Sequence, residues 1–156
     1  MKKTGMTLCM AACCACLMSF SSFAMTKAEY RDASKAVRTE LQAVNAQISE
    51  LNNSNKAFNS SYKSVIQTKK STGELPIDKS DWRAARELRK EITAVKQTMP
   101  ESMTKEDKAL IRSYAQEKNY DAAYAELTKL LENRRARLSK LTEINTIWNE
   151  IDPLLH

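Results

Sequence analysis

The sequence predicts an all-α protein: an elongated helical hairpin or open bundle with coiled-coil-like packing, built from two long and two short helices. Three observations predict it. Only two of the 156 residues are glycine and three are proline, too few turn formers for a sheet of short strands. Apolar residues recur every 3.5 positions from Tyr30 to Val65, a helical period. Cap-forming residues and prolines, rather than apolar–polar alternation, punctuate the remainder.

The first residues read as an export signal. Lys2 and Lys3 make a basic start, and Met6 to Phe20 is an uncharged, mostly apolar run. That run is too short for a membrane span, which needs about 20 apolar residues. Ser22-Phe23-Ala24 supplies small residues at the −3 and −1 positions of a cleavage site. Cleavage after Ala24 is expected, leaving 25–156 as a single helical domain outside the cytoplasm, periplasmic or secreted. Cys9, Cys13, Cys14 and Cys16, the four cysteines of the chain, all fall inside the signal. Met10-Ala11-Ala12-Cys13 is a poor lipoprotein box, and acylation at Cys13 would leave too short an apolar run to insert. The mature chain therefore has no disulfide, thiol nucleophile or Cys-ligated metal. Its formal charge falls from +6 to +4 as Lys2 and Lys3 leave.

The first helix follows from Tyr30, Ser34, Val37, Leu41, Val44, Ile48, Leu51, Asn55, Phe58, Tyr62 and Val65, spaced alternately four and three. A strict heptad keeps one seam facing a partner helix. Asn55 sits at an a position, where a buried amide can fix register or partner number. It also lies in a polar stretch with Asn52, Asn53, Ser54 and Asn59, so a merely wet segment is the other reading. Asn52 and Asn59 both stand in N-x-S sequons. Gly73 and Pro76 end the helix. Asp78 or Ser80 can cap a second helix with an apolar face of Trp82, Ala85, Leu88, Ile92, Val95 and Met99, stopped by Pro100. Thr104 to Asp107 is a capping-box pattern opening a short third helix, and Lys118-Asn119-Tyr120 breaks it. Asp121 can cap the last helix, which runs through Tyr124, Leu127, Leu131, Leu138, Leu141, Ile144, Ile147, Trp148 and Ile151 to Pro153.

The inventory argues against catalysis. His156 is the one histidine, so Ser or Cys triads and His-based metal sites lack their parts. Gly73 has no glycine neighbours to cradle phosphate. Carboxylates fall at helical spacing with cations, as in Glu87 with Lys90 and Glu132 with Arg135, the pattern of a solvated helix face. No enzyme activity, cofactor or metal is expected. Two basic clusters stand out: Arg83, Arg86, Arg89 and Lys90 on the second helix, and Arg134, Arg135, Arg137 and Lys140 on the last. Arg134 falls within the Leu127–Leu131–Leu138–Leu141 seam, where it must meet a carboxylate or reach water. With so small a charge on an exported chain, nucleic acid is not an expected partner. Narrow apolar stripes either pair with a second chain or present a surface, and a homodimer is expected.

Met103-Thr104-Lys105-Glu106-Asp107 resembles the L-T-x-x-Q motif of the Spy/CpxP group of periplasmic helical proteins. Asp107 to Arg112 continues as the helix after that motif does. Tyr120-Asp121, Ala125-Glu126, Lys129, Glu132, Arg134 and Leu138 follow the order of the group's long helix, with Ile147-Trp148 near its end. Leu141-Thr142-Glu143-Ile144-Asn145 resembles a second copy, placed within a helix rather than opening one; neither Asp107 nor Asn145 is the group's glutamine. The resemblance covers about a third of the chain. It implies a curved helical dimer whose basic concave face holds unfolding proteins without ATP; CpxP-like members instead damp an envelope stress sensor. Partners would be unfolded clients or an envelope component. Client contact would fall on Arg134, Arg135, Arg137 and Lys140, bordering Leu131 and Leu138. The competing expectation is a structural or adhesive coiled-coil protein, for which the 30–65 heptads speak; a secreted inhibitor or toxin-like binder is a third.

Overall fold

A computed structural model describes residues 24–102 and 105–156. Residues 1–23, on which the expected export signal falls, and both Met103 and Thr104 lie outside the described residues. The described chain is all-α, with long helices and no strand among those residues. Helix α1 spans Lys27–Thr72, α2 Lys79–Gln97, α3 Lys105–Gln116 and α4 Tyr120–Ile151, followed by a 3-10 turn over Asp152–Leu155.

Helix α1 starts at a capping box that needs no tertiary support. The Thr26 hydroxyl accepts from the Glu29 amide at 3.3 Å, and Glu29 Oε2 takes the Thr26 amide at 2.8 Å. Those bonds, the Thr26 backbone first, hold the Glu29 carboxyl below the usual carboxylate range. The helix ends at Gly73, whose φ of 78° suits a residue without Cβ and whose amide reaches Lys69 O at 3.0 Å. Asp78 opens α2 without a side-chain bond. Asn119, not Asp121, caps α4: its Oδ1 accepts from the Ala122 amide at 3.3 Å. Asp121 is instead taken by the Met25 amide, 3.0 Å away. With an N-cap acceptor already in place one turn earlier, Asp121 is left to face the start of α1.

The two long helices run parallel. Tyr30 stacks on Tyr120 at 5.4 Å, Glu40 meets Arg135, Asn55 meets Leu141 and Asn145, and Phe58 lies on Trp148 at 6.4 Å. Both sequence numbers rise together. The architecture is thus an open bundle and not a two-helix hairpin, with α2 and α3 forming the antiparallel return. Helix α4 is the spine: it packs against every other helix, whereas α1 makes no close backbone approach to α2 or α3. Large side chains bridge that gap, as where Tyr62 stacks on Trp82 at 5.0 Å.

The core is divided accordingly. One cluster joins Tyr62 and Val65 to Ile92, Val95, Ile144, Ile147 and Trp148; a second joins Val37, Leu41, Val44 and Ile48 to Ile111, Leu127, Leu131 and Leu141. Met25, Tyr30 and Ala123 form a small third cluster at the α1 start. Each buried branched or aromatic side chain stabilises the fold by about 1.5–3 kcal/mol. The heptad seam of α1 is buried from Tyr30 to Ile48 and again at Tyr62 and Val65, but only half-buried at Leu51, Asn55 and Phe58. That dip falls between the first two clusters.

Candidate partner-binding site

Half of the basic cluster predicted on α4 is ion-paired within the fold. Arg135 holds Glu40 of α1 through Nε at 2.9 Å and through Nη2; this replaces the expected pairing with Glu132. Arg137 Nη1 donates to Pro100 O at 2.6 Å, and Lys140 pairs with Glu143 at 2.9 Å. Arg134 is half-buried in the seam, with no carboxylate within ion-pair distance among the described residues. Leu131 is 4% exposed and belongs to the core, with Leu138 half-buried beside it. An open apolar strip therefore does not accompany these cations. Of the motif-like positions, Met103 and Thr104 lie outside the described residues. Asp107 lies in the first turn of α3, and Leu141 is buried. Thr142 bonds the carbonyl of Leu138 at 3.0 Å. Asn145 donates across to Ser54 at 2.9 Å and Asn55 at 3.0 Å.

A more open cationic site lies along the N-terminal part of α1. Lys27, Arg31, Lys35 and Arg38 follow one another at helical spacing, all exposed, on the rim of an open groove of about 1170 Å³. Lys118, Gln116 and Tyr120 from the α3–α4 turn close its far side. Asp32 is the single acid lining it, and is engaged by Arg31 at 3.1 Å. Lys27, Lys35, Arg38 and Lys118 have no carboxylate within 4 Å among the described residues. At the base, the Ser34 and Tyr30 hydroxyls are buried without a hydrogen-bond partner. The turn itself is held in an unfavourable conformation. Lys118 has a φ of 62°, a left-handed value that a residue with a Cβ adopts at a cost of about 1 kcal/mol.

The sequence carries a signal for this site outside the two basic clusters. Arg31, Lys35 and Arg38 each follow a seam residue, Tyr30, Ser34 and Val37, so burial of the seam places one cation stripe along its edge. The contribution of Lys118 depends on where the α3–α4 turn docks, which spacing does not disclose. The second predicted cluster splits in a similar way. Arg89 lies over the Trp148 ring at 5.3 Å, while Arg83 and Arg86 line a shallow groove with Lys69 and Trp82.

Among the described residues no group of three His, Cys, Asp or Glu side chains is placed to hold a metal. No helix there is long and apolar enough to cross a membrane. No protein-family model, curated protein or solved structure matches the chain. The site's chemistry is that of fixed positive charge over a shallow, partly apolar floor. It can attract and hold carboxylates.

Proposed function

We propose that this chain is an exported, non-enzymatic binding protein that captures acidic segments of other proteins, acting as an ATP-independent holdase of the Spy/CpxP kind. The observation that carries the reading is the groove between α1 and the α3–α4 turn. Five cations ring it, against one acid that is already engaged. Unfolding clients differ in sequence, so capture must rest on long-range attraction and loose contact. Exposed cations suit this, since complementary charge raises association rates more than it lengthens residence. The alternative, a structural coiled coil, asks for a seam free to pair with another chain; in this fold α4 covers that seam. An envelope sensor domain with an acidic face is the other partner that this groove would accept.

Light scattering of a thermally unfolding acidic client tests the proposal. The protein should delay aggregation at low salt and lose most of that effect at high salt, because screening acts over about 8 Å at physiological ionic strength and about 3 Å at 1 M. Reversing Arg31 and Lys35 to Glu should lower capture several-fold with little change in helicity, since both are exposed. Reversing Arg135 should instead destabilise the fold, by setting a second carboxylate against Glu40. If the unaltered protein suppresses no aggregation in any condition, the holdase reading fails.

A further inference from the structure

A second cavity, separate from the groove, lies where α1, α2 and α4 come together. Its volume is about 280 Å³, near the lower bound of about 300 Å³ for ligand pockets, so it suits one small ring-sized molecule. Leu141, Ile144 and Trp148 of α4 form an apolar wall, Asn52 and Asn59 of α1 add two amides, and Lys96 and Arg137 bring positive charge. No acidic residue lines it.

Arg137 is the decisive residue. Its Nη1 is spent on Pro100 O at 2.6 Å, while its Nε is buried and has no acceptor. Its Nη2 is neither bonded nor buried among the described residues, so the guanidinium lines the cavity with one donor left for a carboxylate oxygen. Lys96 points the same way: partial burial first, and then repulsion from Arg89, hold its amine below the ordinary lysine range. Two neighbouring cations thus lack a counter-charge at one cavity.

The cavity also accounts for the dip in the α1 seam. Asn55 lines it too, and spends its amide on Leu141 O at 3.4 Å and its carbonyl on Asn145 at 3.0 Å. No hydrogen bond to another described side chain engages the Asn52 or Asn59 amide. A seam built only for packing would continue apolar residues here.

We infer that this cavity binds a small sugar acid, its carboxylate on Arg137 and Lys96, its hydroxyls on Asn52 and Asn59, and its ring on the Leu141–Trp148 wall. This does not depend on the holdase reading, because the cavity and the groove share no residue. The probe is glucuronate, titrated into the full protein carrying Trp82→Phe, so that Trp148 is the remaining tryptophan. A saturable change in Trp148 fluorescence is expected, with glucose producing none at equal concentration. Lys96→Gln and Arg137→Gln should each weaken binding at least tenfold, and Lys35→Glu should leave it unchanged. Because Arg137→Gln frees Pro100 O, its thermal melt is recorded alongside; Lys96 is exposed and serves as the variant independent of folding. The inference is overturned by the absence of a saturable response to glucuronate, by an equal response to glucose, or by unaltered affinity in Lys96→Gln.

Discussion

Two single residues show how local chemistry shapes the ends of the groove. Met25 is 9% exposed, and its main-chain nitrogen lies 3.0 Å from Asp121 Oδ2. Cleavage after Ala24 would turn that amide into an ammonium group and the hydrogen bond into an ion pair. Charge-assisted bonds contribute about 1.5–3 kcal/mol when sheltered, and solvent at this edge lowers that to about 1 kcal/mol. Intact mass of the exported protein should begin at Met25, and Asp121→Asn should lower the urea midpoint of the processed chain more than that of the precursor. A mass retaining residues 1–24, or a lipid on cysteine, would refute the processing. Lys118 gives a prediction of opposite sign. Its left-handed backbone would be easier for glycine, so Lys118→Gly should raise stability by about 0.5–1 kcal/mol. The same change removes a groove cation and should weaken capture of acidic clients. A variant both more stable and equally active would place the client elsewhere.

At the scale of elements, the heptads of α1 were legible because period and burial coincide. Every seam position from Tyr30 to Val65 is buried or half-buried, and Gly73 ends the helix at its left-handed φ. The apolar face of α2 was equally plain, with Ala85 and Ile92 fully buried. What the seam faces was not legible. A stripe states that it needs cover, but not from which direction its partner runs, and a parallel α1–α4 pair requires the α2–α3 return to be long enough to bring the chain back. Asn55 carried two readings, register device or wet segment, and it has features of both. It bonds Leu141 and Asn145 of α4, and it lines the cavity between the two main clusters. The sequence also located Arg135 and Arg137 without disclosing that Glu40 and Pro100 O would occupy them, since both contacts join distant segments. The seam itself can be tested. Leu41 and Ile48 are each 8% exposed, and truncating such residues costs about 2–5 kcal/mol apiece, with carboxylate desolvation added. Leu41→Asp with Ile48→Asp should therefore exceed the 5–15 kcal/mol or so that holds a small domain and abolish most helical circular dichroism. Full helicity after both changes would mean that α4 packs on another stripe.

The described chain is long and charged along its edges, and its large apolar side chains are mostly buried or half-buried. Helix α1 alone has 46 residues, about 69 Å at 1.5 Å per residue. The homodimer expected from the sequence rested on a stripe in need of cover, and α4 of the same chain supplies that cover. Among the described residues Leu110, 40% exposed, is the one large hydrophobic side chain left open. A stable interface buries on the order of 1,200–2,000 Å² around an apolar, charge-depleted centre, more than one exposed leucine provides. Sedimentation at micromolar concentration should accordingly show an elongated monomer, with a frictional ratio well above that of a sphere. Electrostatics leads to the same outcome at low salt, where two copies carrying unpaired cation stripes repel. Should a dimer appear, its salt response identifies the contact. A dimer dissolved by salt would join the cationic groove of one copy to acids of another, and Arg31→Glu would disrupt it. A dimer strengthened by salt would be apolar, and Leu110→Asp should split it. A salt-indifferent dimer that survives both changes would require α1 to exchange its α4 partner between chains, and the internal pairing of Glu40 with Arg135 would then be intermolecular.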